Sequence, residues 1–185
     1  MMVALLVVLA VLLLAAGWTV LAHNRFVSQR NTIDESWRQV DVELQRRHDL
    51  VPNLVETVRA SARFEQETLR QVVDARVRAI AARDAGHAAQ GAAEQQLTGA
   101  LSGFLGLAEG YPELRSSQNF LQLQQQLAET EDRIAAGRRY YNATVRAYNT
   151  RTGQIPASLV AGAFRFAPAE YFAVDDPDIR AVPSV

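Results

Sequence analysis

The residues best placed to do chemistry lie in "ELQRRHDLVPNLVETV", residues 43–58, where Arg46, Arg47, His48 and Asp49 precede Pro52 and Asn53 by one helical turn. A histidine beside an aspartate invites a general-base reading, and two arginines offer charge to an anion. Neighbours in a helix point in different directions, however, and no serine or other nucleophile stands at helical spacing from His48. The other two histidines, His23 and His87, fall at the end of an apolar run and in a linker. No HExxH pair, Glu-x-x-His pair, calcium loop or glycine-rich phosphate loop occurs. The expectation is therefore no enzyme, no cofactor and no metal, with Arg46, Arg47, His48, Pro52 and Asn53 serving structure or partner contact.

Composition narrows the chemistry further. All 19 basic residues are arginine, which excludes Schiff-base lysines and the lysine of a phosphate-binding loop. With no cysteine, thiolate metal sites and disulfide frameworks are impossible. Twenty acidic residues bring the net charge to −1, and the arginines are spread along the chain, so a nucleic-acid partner is not expected.

The first 22 residues carry no charged side chain, and only Gly17, Trp18 and Thr19 interrupt the aliphatic run. About 20 apolar residues in a helix match the ~30 Å hydrocarbon thickness of a bilayer. A cleaved leader is the rival reading, but there is no basic segment ahead of the run and the run is long for one. Arg25 and Arg30 follow it, so the positive-inside rule places the amino terminus outside and the remainder in the cytoplasm. The expected location is the inner membrane, single-pass, with the bilayer as partner.

Four helical segments should position these residues. Phe26, Ile33, Trp37, Val40, Leu44, Val51, Val55 and Val58 recur in threes and fours, and Arg30 and Arg47 fill positions where the period calls for an apolar residue. This segment, 24–60, has no break from the apolar run. Leu69 to Ile80 and Leu97 to Ala108 form two segments half as long, at about 65–83 and 92–109. The last, 117–152, starts at Ser116 or Ser117 as cap and carries Phe120, Leu123, Leu127, Ile134, Tyr141, Val145 and Tyr148. The prediction is an all-α fold in which a transmembrane helix continues into an antiparallel up-and-down four-helix bundle of two long and two short helices. The domains are then an anchor at 1–22, a bundle at 23–154, an amphipathic or aromatic segment at 155–174 and a disordered acidic tail at 175–185. A runner-up fuses the first two segments through 61–64 into one helix of about 60 residues, as half of a long hairpin.

Further expectations follow from this placement. The apolar period resumes at Val55 beyond Pro52, which predicts a kink rather than a stop. Arg46 and Arg47 should face Gln124 to Glu129 or a second subunit. Asn24 and Asn31 on the first long helix and Asn142 and Asn149 on the last, the latter two each preceded by a tyrosine (Tyr141, Tyr148), should meet at one level. That would make either a buried amide network fixing register or four solvated side chains. Phe164, Phe166, Tyr171 and Phe172 should lie in the membrane interface, on the bundle, or on a neighbouring subunit.

Two blocks, "NRFVSQRNTIDESWRQVDVELQRRHDLVPNLVETV" and "RRYYNATVRAYNTRTGQIPASLVAGAFRFAPAEYF", resemble the LemA family of bacterial membrane-anchored proteins over about residues 20–174. "DLVPN" and "AEYF" carry the most specific likeness. The resemblance implies a helical-bundle domain on one membrane span, no established catalysis, and a link to the bacterial envelope, with relatives that help shape magnetosome membranes. Together the residues and the resemblance favour a non-enzymatic scaffold or interaction protein of the envelope that self-associates or recruits an envelope protein. The alternative is a membrane-bound regulator or sensor acting on a partner such as a protease or signalling protein, with Pro52 as the movable element. An enzyme or transporter component ranks last, because a single uncharged span forms no conduction path by itself.

Overall fold

The computed structural model describes residues 1–59 and 65–172. Within them the elements are α1 (Met2–Arg59), α2 (Gln66–Ala81), α3 (His87–Ala108), α4 (Pro112–Arg115), α5 (Gln118–Gly153) and α6 (Ala157–Ala163), with no strand among the described residues. The apolar amino-terminal run and the first amphipathic segment are one helix of 58 residues, as the uninterrupted sequence required. Its apolar third is long enough to cross a membrane, and none of it is buried against the rest of the chain.

Helices α1 and α5 run antiparallel. Phe26 meets Tyr148, Glu43 pairs with Arg133, and Arg47 reaches Glu131, so numbering rises on one helix as it falls on the other. A Cβ at Gly137 would stand 3.0 Å from Cγ2 of Val40, so a side chain there requires Val40 to give way by a few tenths of an ångström. Ser117 caps α5 by accepting from the backbone N–H of Phe120. Pro112 opens the one-turn α4, a position where its missing N–H costs nothing.

Helices α2 and α3 form a second antiparallel pair beside the far half of α1. Their common core contains Val51, Leu54 and Val58 of α1, Leu69 and Val72 of α2, Leu97, Leu101 and Phe104 of α3, and Phe120 and Leu127 of α5. A second core at the amino-terminal end of the amphipathic region holds Phe26, Val40 and Leu44 with Tyr141, Val145, Tyr148, Phe166 and Phe172.

Three expectations need correction. The third helix begins at His87, not near residue 92: Gly86 occupies a left-handed conformation (φ 97°) that starts it there, and buried Gln90, Gly91 and Glu94 belong to it although they carry no apolar period. The spacing of Leu69, Val72, Val73, Val77 and Ile80 made these the expected apolar face of the second helix, but Val77 and Ile80 are exposed and Ala75 and Ala79 join Leu69 and Val72 in the core instead. Separate α1 and α2 helices sharing one core leave no place for the fused hairpin; the 61–64 connection and the 175–185 tail themselves lie outside the described residues.

Candidate functional site

The "RRHDLVPN" stretch builds a buried charge cluster. Arg47, 1% exposed, occupies an interior position of α1 that its neighbours Leu44 and Val51 share. Its Nη2 donates to Glu94 Oε2 at 2.5 Å, and its Nη1 donates to Glu131 Oε2 at 2.6 Å and to Thr98 Oγ1 at 2.7 Å. Thr98 in turn donates to Glu131 Oε1. His48, also buried, brings Nε2 to 2.9 Å from Glu94 Oε1. One arginine thus ties α1 to α3 and α5. Burial alone would raise the Glu94 carboxyl, but His48 and Arg47 outweigh it and hold it below the usual carboxylate range. The partners of Arg47 are Glu131 and Glu94 rather than Gln124 to Glu129. Glu131 lies two residues beyond that stretch of α5, and α3 supplies the second carboxylate, Glu94. Arg46 is half-buried and outside this cluster.

Pro52 does not stop α1, and the buried face continues through Val51, Leu54, Val55 and Val58. Lacking an N–H, Pro52 deprives the His48 carbonyl of its helical donor. Arg76 of α2 takes that place, donating from Nε to the His48 carbonyl at 2.7 Å. Asn53 is exposed, and its backbone carbonyl accepts from the Thr57 hydroxyl.

The second assembly lies on the other core, where the chain beyond α6 runs back along α5. Asn149 donates to the Ala169 carbonyl and accepts from the Ala169 N–H; Asn142 does the same with Phe172. Seven helical residues advance about 10.5 Å, and three extended residues about 10 Å, so the two amides match the strand-like spacing of 169 and 172. Between and beside them the Tyr141 hydroxyl donates to the Glu170 carbonyl and the Tyr148 hydroxyl to that of Ala167. Asn24 and Asn31 stand exposed on α1. The four-amide network is therefore not formed: two of the four grip backbone, which a search for side-chain partners could not reveal.

Aromatic rings fill the interior of this clamp. Phe166 stacks on Phe26 at 5.0 Å, Phe172 meets Trp37 edge-on at 5.1 Å, and His87 packs between Trp37 and Tyr141. Burial lowers the His87 pKa against the pull of Glu170 and Asp34, and burial with the same two carboxylates raises that of Tyr141. Phe164 is half-exposed with its ring on His23 at 4.6 Å, and Tyr171 is partly buried. A cleft of about 310 Å³ remains here, with Arg30, Asp34, His87, Arg165 and Glu170 at its edge.

Residues 36–185 match the LemA family. The chain belongs to the LemA family. Among its relatives are a magnetosome protein MamQ of Magnetospirillum gryphiswaldense, 27% identical over 92% of this chain and 72% of the relative, and MamQ 1 and MamQ 2 of Paramagnetospirillum magneticum, each 28% identical over 81% of this chain and 64% of the relative. The LemA-family match covers both the charge cluster and the backbone clamp, and the chain spans about two thirds of the length of those curated relatives.

Proposed function

We propose that this LemA-family chain is a membrane-anchored, non-catalytic scaffold of the bacterial envelope that associates with itself and presents its helical domain to an envelope partner. The observation that carries the reading is the continuity of α1 from an exposed apolar third into both cores. The family and its relatives support a membrane-associated protein without assigned chemistry. Two of the residues that invited a catalytic reading, Arg47 and His48, are engaged with Glu94 in the helical interior, and Asn142 and Asn149 are engaged with backbone. In this reading α1, α2, α3 and α5 form an up-and-down four-helix bundle, supported by the core to which all four contribute. The amino terminus faces out and the bundle the cytoplasm, supported by Arg25 and Arg30 directly behind the apolar run.

Cross-linking in intact cells followed by mass spectrometry tests it, with cross-links between copies of the chain and to an envelope protein expected. A strict monomer in detergent that copurifies with nothing overturns it. A regulator or sensor hinged at Pro52 ranks second, because the Arg76 bond fastens the carbonyl that Pro52 frees and so ties that turn to α2.

A further inference from the structure

The net charge of −1 conceals a strong polarity. Residues 1–33 and 138–169 contain seven of the 19 arginines and none of the 20 acidic residues, and the fold brings these two stretches together at one end. Arg25 lies close enough to Arg151 to repel it, Arg30 and Arg165 line one cleft with Asp34 and Glu170, and Arg146 precedes Arg151 by five residues on α5. Among the described residues none of the five has a carboxylate partner, and the Nε of Arg146 and of Arg151 is shielded without any acceptor. Burial and the neighbouring Arg25 guanidinium both lower the pKa of Arg151, as expected for like charges brought together without relief.

The same end exposes large apolar side chains. Ile155 is 85%, Leu159 71% and Phe164 50% exposed, while Val160 and Ala161 of the same short segment are buried against the core. Phe164 rests on His23, the first residue beyond the 22 uncharged ones, so this surface stands at the level where the hydrocarbon of a bilayer would end. Apolar side chains ringed by guanidinium groups match the layer in which acyl chains give way to headgroups. Arginine forks suit phosphate oxygens, and arginines near an anionic surface are attracted to it.

We propose that the base of the helical domain is a docking surface for anionic phospholipid headgroups, with Arg25, Arg30, Arg146, Arg151 and Arg165 holding phosphates while Ile155, Leu159 and Phe164 enter the acyl boundary. The proposal rests on α1 crossing the bilayer. It makes the turn after α5 a second membrane contact, so the domain is fixed in orientation rather than swinging from its anchor.

The absence of cysteine allows single labels to be placed in the full-length chain at Val8→Cys, Val42→Cys and Leu159→Cys. Each labelled protein is reconstituted in phosphatidylcholine vesicles with or without an equal part of phosphatidylglycerol. Quenching of an environment-sensitive fluorophore is then read from nitroxides placed deep or shallow on the acyl chains. The shallow nitroxide is expected to quench position 159 about twofold more in the anionic vesicles, and the difference should vanish at about 1 M salt, where the screening length falls to ~3 Å. The combination Arg25→Gln, Arg151→Gln, Arg165→Gln should abolish the difference, whereas Arg59→Gln with Arg115→Gln at the far end should leave it intact. Position 42 should be quenched in neither vesicle. Equal quenching of position 159 in both lipids, or its free access to aqueous iodide in both, overturns the proposal. That comparison is made with all arginines in place, so it holds even if the triple variant fails to fold. Loss of deep quenching at position 8 overturns the spanning helix itself, which separates the two failures.

Discussion

The two cores of this molecule are held by opposite kinds of polar contact. The far core buries charge: Arg47 is surrounded by Glu94 and Glu131, with His48 against Glu94. The near core buries neutral groups: two amides and two phenols bind the backbone of residues 167–172, and the His87 imidazole is disfavoured from protonating. Paired charges lose much of their attraction to desolvation, so the far cluster is expected to fix which helices meet more than it adds stability. Amide-to-backbone pairs carry little desolvation penalty and hold a segment that has no helix or sheet partner of its own.

The largest test of the contrast is Arg47→Met, which leaves Glu94 buried without its cation and is expected to cost about 3–5 kcal/mol. Combining it with Glu94→Leu should recover more than half of that loss, measured by chemical denaturation in detergent; failure to recover would mean that the charges stabilise rather than specify. In the near core, Asn142→Ala and Asn149→Ala each strand a backbone N–H and carbonyl and should cost about 1–3 kcal/mol. Their signature is faster proteolysis within 164–172 while the far helices stay protected.

A smaller effect isolates the proline. Arg76→Gln should destabilise by about 1–2 kcal/mol, because the His48 carbonyl loses its charged donor. With Pro52→Ala present the cost should shrink, since the alanine N–H can restore the helical bond, and a double-mutant cycle measures the coupling. Smallest is the pH response. His87 has a folded pKa below its ordinary 6.5, so its contribution is intact above 6.5 and is lost as pH falls from there. Glu94 is likewise lowered from 4.5, so its contribution is intact above 4.5 and is lost as pH falls below it. Melting temperature should therefore decline in two steps on acidification, and His87→Phe should remove only the first.

The long helices were legible because their apolar residues repeat at helical spacing over many turns, and Arg47 showed itself as an arginine in an apolar slot. Helix α3 was legible only in its second half: Gln90, Gly91 and Glu94 are buried by what they contact, not by hydrophobicity. Asn142 and Asn149 were singled out from their spacing, but their partners were not, because backbone carbonyls and N–H groups leave no mark on the sequence of the segment they belong to. The short helix α6 was hidden within a stretch whose aromatics pointed to the membrane interface, the bundle or a neighbouring subunit without marking a helix.

That α1 runs unbroken from Met2 to Arg59 gives it mechanical leverage. The roughly 37 residues beyond its apolar third reach about 55 Å, so with that third seated in lipid a 10° change of helix tilt would move the far end by about 10 Å. In that setting, thinning or bending of the host leaflet would become lateral travel at the tip.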